Sequence, residues 1–190
     1  MTSLYRRILG HAYDQLPQAV RQLHDPGDET LYRGRCRVRR GQGWWANRAA
    51  DLLSLPKTGE DVDVTVAFRR VGDAEHWTRH FNGKRFFSRQ WQQGPWLYER
   101  LNFTTLKFEV LANAECLQLR LHQVYVLGIP MIRALCPRVI ARETERDERF
   151  HFHVEASVAL LGLLVYYEGG LERTTPHASL RSAAPPQGGS

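Results

Sequence analysis

Lysine is nearly absent from this chain: of 26 basic residues only three are Lys and the rest are Arg. Such a skew is what a GC-rich codon supply gives, and 20 acidic residues are interspersed with the basic ones. The net charge of +6 therefore does not by itself make a nucleic-acid surface, and no helix-turn-helix, zinc-finger or RNP-like pattern accompanies it. Nucleic acid is not an expected partner. Cysteine is scarce as well. Cys36, Cys116 and Cys136 are odd in number and far apart, with no Cys-x-x-Cys pair, which argues against a disulfide framework and a zinc site. Long apolar runs are missing: residues 156–167, interrupted by Ser157, fall well short of the roughly 20 needed to span a bilayer as a helix. The N-terminus mixes charges into its apolar positions and has no cleavage signal, so a cytoplasmic location is expected. There is no Gly-x-Ser-x-Gly elbow, P-loop or His-Glu-x-x-His, and neither a metal nor a cofactor is expected.

What is present is alternation. Residues 74–130 run as short stretches of alternating apolar and polar side chains broken by turn signals. Trp77, Arg79 and Phe81 share one face, and Asn82-Gly83 behind them is a strong hairpin signal. Phe86 and Ser88 begin the return strand; residues 97–103, 106–111 and 116–126 continue the meander. An earlier strand at 30–40 places Tyr32, Gly34, Cys36 and Val38 on one face and a ladder of Arg33, Arg35, Arg37 and Arg39 on the other. Val62, Val64, Val66 and Phe68 make a second. Residues 139–145 and 150–155 read as a hairpin around 146–149, and 160–168, apolar on both faces, as a last, central strand.

Two helices precede the strands. Ser3 suits an N-cap, with Tyr5, Ile8, Leu9, Ala12, Tyr13 and Leu16 at helical spacing behind it, and Pro17 opens a second short helix carrying Val20 and Leu23. Residues 44–55, with Trp45, Ala49, Leu52 and Leu53 as the apolar stripe, form a short helix after the first strand that could act as a lid. The fold class this implies is α+β. A strongly curved antiparallel meander of about eight to ten strands closes as a lipocalin-like barrel, with a START-like cup as the second choice. One domain over 1–173 is expected, followed by a disordered Pro-, Gly- and Ser-rich tail at 174–190.

A set of short matches in one order resembles a known family. Leu9-Gly10, Leu16-Pro17, Leu23-His24, Leu55-Pro56, Gly59-Glu60-Asp61, Trp77-x-Arg79-x-Phe81, Ser88 and Glu99-Arg100 are followed by Gly128-Ile129-Pro130, Pro137, Phe150-x-Phe152 and Gly162-x-x-x-Tyr166. Together, from about Tyr5 to Leu171, they resemble the bacterial domain of unknown function 4166, with Ile132 and Gly170 standing where the family pattern has Pro and Trp. The resemblance implies no reaction. It implies a domain found alone or joined to a saccharopine-dehydrogenase-like reductase, and the lack of a Gly-x-Gly-x-x-Gly makes this chain similar to the standalone form. A separately encoded reductase is the partner that this domain company suggests.

The candidate site lies on the inward face. Arg79, between Trp77 and Phe81, must be paired if it is buried, and Glu99, next to Arg100, or Glu143 can pair with it. That arrangement is either a structural ion pair or the polar anchor of a cavity walled by Trp77, Phe81, Tyr125 and Tyr166. The expected guest is a small apolar or amphipathic molecule, with an anion favoured. An enzyme of the same shape would have to use Glu99, Glu143, Tyr125 or Tyr166 as its acid or base. His76 and His80 are about 13 Å apart on a strand, too far to share a metal. His151 and His153 share a face, but it is the one opposite Phe150 and Phe152, where solvated side chains are the plainer reading.

Overall fold

The computed structural model describes residues 2–25, 29–52, 55–159 and 161–174; the tail expected from 174 onward lies outside them except for Thr174. Its strands are β1 (Glu29–Arg40), β2 (Gly59–Val71), β3 (Ala74–Phe81), β4 (Lys84–Gln93), β5 (Trp96–Leu101) and β6 (Thr104–Ala112). They continue as β7 (Cys116–Val126), the two-residue β8 (Ile129–Pro130), β9 (Arg138–Arg146), β10 (Arg149–Val158) and β11 (Gly162–Thr174). Alternation produces them as expected: Val62, Val64, Val66 and Phe68 of β2 are all buried, while Arg35 and Arg37 of β1 point out and pair with Asp61, Asp63 and Glu60. Two of the four arginines of the ladder are thus paired by the neighbouring strand.

Tight turns fix the register. Asn82 and Gly83 take φ of 46° and 80°, the two left-handed residues that a twisted hairpin favours, and Asp147-Glu148 adopts the same form at 51° and 61° between β9 and β10. Strands consecutive in sequence pair antiparallel, except that β8 pairs only with β7 and β7 itself goes on to pair with β9, and β11 returns to β1. The result is a closed ten-stranded meander, the barrel form of the expectation. Closure through strand pairs all the way round leaves no open sheet edge for the START-like alternative. With three short α-helices against eleven strands among the described residues, a barrel with few helices describes them better than α+β.

The seam between β1 and β11 is drawn tight at Gly34, where a Cβ would stand 1.9 Å from the Gly170 carbonyl oxygen. Only glycine allows this approach, which explains why β11 continues past Glu168, the expected end, through Gly169-Gly170 to bury Leu171.

The two ends of the barrel differ. At one, α1 (Leu4–Leu9), a 3-10 turn (Gly10–Gln15) and α2 (Gln18–His24) form a plug. Ser3 caps α1 as expected, its Oγ accepting from Arg6 N at 3.3 Å, but Gly10 at φ 55° ends the helix early. Leu4, Tyr5, Tyr13, Leu16, Val20 and Leu23 are therefore the buried residues, with Ile8 and Leu9 only partly covered. At the other end α3 (Trp44–Leu52) lies on β11 and β1 through the buried Ala46 and Ala50. Small side chains permit that close contact, so Trp45, expected inward, is 69% exposed beside Trp44 at 64%. Arg40 fixes the segment after α3: its Nε donates to Pro56 O at 2.7 Å, Nη1 to Asp51 Oδ1 at 2.7 Å and Nη2 to Leu55 O.

Candidate ligand-binding cavity

A cavity of about 250 Å³ runs inside the barrel from the α3 end toward the helical plug. Apolar voids of roughly 150 Å³ already admit benzene-sized molecules, and drug-sized sites occupy roughly 300–1,000 Å³, so there is room for one slender guest. Its upper half is mostly apolar, with Asn102 and Thr104 as polar lining residues. Leu55, Pro56, Leu101, Phe103 and Pro137 edge the mouth, and Phe81, Phe86, Leu106 and Val139 line the wall below. The wall is weakest here, because β7 pairs with β9 only over Cys116 to Arg120 and with β8 near its end.

The lower half is polar, and the strand alternation builds it. Glu75, Trp77, Arg79 and Phe81 alternate inward on β3, Ser88 and Gln90 face them from β4, and Glu99 from β5. Arg79 Nη1 donates to Ser88 Oγ at 2.9 Å and to Glu99 Oε1 at 3.1 Å, and its guanidinium lies 4.8 Å over the Trp77 ring. Burial works against the Arg79 charge, but Glu99 with Tyr167 and Tyr5 together outweigh it and hold the group above its ordinary pKa. Trp77 Nε1 donates to Glu75 Oε2 at 3.2 Å, and the other Glu75 oxygen accepts from Leu4 N at 3.4 Å, which ties the plug to the floor.

The plug contributes polar groups of its own. Tyr5 donates its hydroxyl to Gln90 Oε1 at 3.1 Å, and its ring centroid is 3.8 Å from that of His24. His24, fully buried at the end of α2, pairs through Nε2 with Glu143 Oε2, while its Nδ1 has no hydrogen-bond partner among the described residues. Burial, reinforced by Glu143, Glu75 and Glu99, pushes the Tyr5 hydroxyl well above its usual pKa, and burial lifts Tyr167 to about 12. Both stay protonated hydrogen-bond donors across the ordinary pH range.

Of the eight residues singled out from sequence, Trp77, Arg79, Phe81, Glu99 and Glu143 come together around the cavity. Arg100 does not: it follows the inward Glu99, so the strand turns it to solvent, where Nε donates to Asn102 O at 3.3 Å. Tyr125 and Tyr166 also face outward, and in both cases a β-bulge reverses the alternation. His122 is the extra residue in β7, because Lys107 pairs with Gln123 and Phe108 with Leu121; Val124 is consequently buried and Tyr125 turned away. Leu164 is the extra residue in β11, between Val165 opposite Ala156 and Leu163 opposite Ser157, so Tyr167 lines the cavity and Tyr166 meets His153 outside.

Tyr5, Gln90 and Tyr167 complete the floor, with the buried His24 and Glu75 behind it. Glu75 and Gln90 were legible from the parity of Arg79 and Ser88; His24 and Tyr5 depend on how the plug docks. His151 and His153 lie in a polar groove of about 500 Å³ on the outer face of β9 to β11. Among the described residues no group of three or more His, Cys, Asp or Glu could hold a metal ion, and no helix is long and apolar enough to cross a membrane.

The family model of the domain of unknown function DUF4166 matches residues 16–171, so the chain belongs to that family. No curated protein matches the chain.

Proposed function

We propose that this member of the DUF4166 family holds a slender amphipathic molecule inside its barrel, with the apolar body toward the mouth and a small polar head on the floor. The observation that carries the reading is the division of one cavity into a mostly apolar upper half and a hydrogen-bonding lower half. Burial of apolar area would supply the affinity, and Arg79, Tyr5, Tyr167 and Gln90 would orient the head. The acidic groups around the floor already have partners: Glu99 holds Arg79, Glu143 pairs with His24, and Glu75 accepts from Trp77 Nε1 and Leu4 N. An anionic head, favoured from sequence, would have to displace Glu99 from Arg79. An uncharged head that both donates and accepts, such as an alcohol, asks for no such exchange and is the better match. Glu99 and Glu143 are held by these same partners, which favours binding over acid–base catalysis.

Titrating the protein with dodecanol and dodecanoate by isothermal calorimetry tests this. Saturable one-to-one binding, tighter for the alcohol and abolished by Ala141→Phe in the cavity wall with the fold intact, is expected. Binding that Ala141→Phe leaves unchanged would place the guest elsewhere and end the proposal; tighter binding of the carboxylate would restore the anion.

A further inference from the structure

Most of the exposed large apolar side chains gather at one end of the barrel; Val71, at the plug end of β2, and Phe87, on β4, lie elsewhere. Trp44 and Trp45 lie on α3, Phe103 in the β5–β6 turn, and Leu127, Ile129 and Ile132 between β7 and β9, with exposures from 40% to 79%. The antiparallel order puts all these connections at the mouth end. Leu127 is held against the β5–β6 turn by its N–H donating to Phe103 O at 2.9 Å. The opposite end has Gly72-Asp73, Gly94-Pro95, residues 113–115 and Asp147-Glu148 as its strand connections, which are polar or acidic, along with the helical plug.

Charge follows the same division. The strand connections at the mouth contain a single acidic residue, Asp51, and Arg40 holds it at 2.7 Å. They contain Arg48, Lys57 and Arg133, with Lys84, Arg85, Arg100 and Arg138 at the adjoining strand ends, where the acidic Glu60 and Asp61 of β2 pair with Arg37 and Arg35. None of the ion pairs among the described residues involves any of these seven cations. Arg48 instead lies 6.0 Å over the Trp44 ring. Isolated exposed apolar residues such as Val71 and Phe87 need no explanation, but a set gathered on one rim and interspersed with cations outside any ion pair does.

We infer that the mouth end docks peripherally on an anionic phospholipid bilayer, with the Trp, Leu and Ile side chains entering the headgroup and acyl boundary and the cations meeting lipid phosphates. Tryptophan and aliphatic side chains supply interfacial insertion, and Lys and Arg near a negatively charged leaflet supply attraction. The barrel sits on the surface and does not span it: its outer wall carries Arg33, Arg35, Arg37 and Arg39 on β1, where a spanning barrel needs an apolar band. Docked this way, the cavity opens toward the acyl chains through Leu55, Pro56, Phe103 and Pro137. The rim is present whatever the barrel contains, so this inference does not depend on the cavity's guest.

Flotation with vesicles of phosphatidylcholine alone, and with about one-third phosphatidylglycerol, tests it at low and high salt. The chain should float with the anionic vesicles at low salt and not with phosphatidylcholine alone. The partition coefficient should fall about tenfold or more in Trp44→Ser/Trp45→Ser and in Ile129→Ser/Ile132→Ser, and a similar amount in Arg48→Glu/Arg133→Glu. All three variants change exposed side chains, and thermal melts matching the parent chain would show that they fold. Loss of dodecanol binding by Ala141→Phe with vesicle binding unchanged would separate the two proposals. No flotation with anionic vesicles at low salt overturns the inference, as does flotation that both apolar double variants retain. A stable homodimer in solution that the same substitutions dissolve also overturns it, because the rim would then be a protein interface.

Discussion

Replacing Arg79 with Met removes the one guanidinium that faces the cavity floor and leaves the Glu99 carboxylate in a site where only 10% of its side chain is accessible. At a separation of 3.1 Å and an effective dielectric constant of about 20, the lost attraction is about 5 kcal/mol. The net change is smaller, because Arg79 also sheds its own burial cost and keeps 22% of its side chain accessible within the cavity. Breaking one member of a buried pair generally costs 3–5 kcal/mol, and the cavity places this case at the lower end, about 3 kcal/mol. Ser88 Oγ, which is buried, loses its donor as well. Urea denaturation of Arg79→Met, Glu99→Leu and the double variant forms a complete cycle. The double variant, with no unpaired charge, is expected within about 1.5 kcal/mol of the parent chain, which makes the two sites coupled by at least about 2 kcal/mol. A loss below about 1 kcal/mol for Arg79→Met, or additive effects in the double variant, would refute the reasoning that the pair is buried and mutually dependent.

Alkaline pH should unfold the barrel through its buried tyrosines. Tyr13 and Tyr167 are pushed up to about 12 and Tyr5 is also raised, so their neutral forms contribute fully below the unfolded value of 10.0, and that contribution is lost as pH rises toward 12. Each can contribute up to about 1.4 kcal/mol per pH unit across that window. Phenolate absorbance should show them ionising together with loss of the fold, and ionisation near pH 10 in a folded barrel would contradict the burial described. Leu4→Ala should destabilise by about 2–4 kcal/mol and Leu9→Ala by less than half as much, because Leu4 is buried in the plug and Leu9 lies at its margin. Equal effects by thermal melting would mean that α1 docks in another orientation.

Much of the barrel was legible because half-buried antiparallel strands write themselves as alternation, and two-residue turns such as Asn82-Gly83 mark their own ends. The Arg79–Glu99 pair followed from the same parity. What alternation cannot show is a bulge: His122 and Leu164 look like ordinary strand residues, yet each reverses the face of everything beyond it. Tyr125 and Tyr166 were placed inward for that reason, and Tyr167 was missed. The stripe of α3 failed differently. Periodicity weights large side chains, so it chose Trp45, whereas the helix packs through Ala46 and Ala50 and shows its tryptophans to solvent. His24 behind the cavity floor is a tertiary fact, set by where the plug docks relative to Glu143.

The most direct test of the barrel as a container is native mass spectrometry of the chain purified without detergent or organic solvent, followed by extraction of whatever dissociates. The account predicts the polypeptide mass with one small-molecule adduct, released on denaturation and missing in Ala141→Phe. An unliganded polypeptide that also takes up no dodecanol when it is supplied would contradict it.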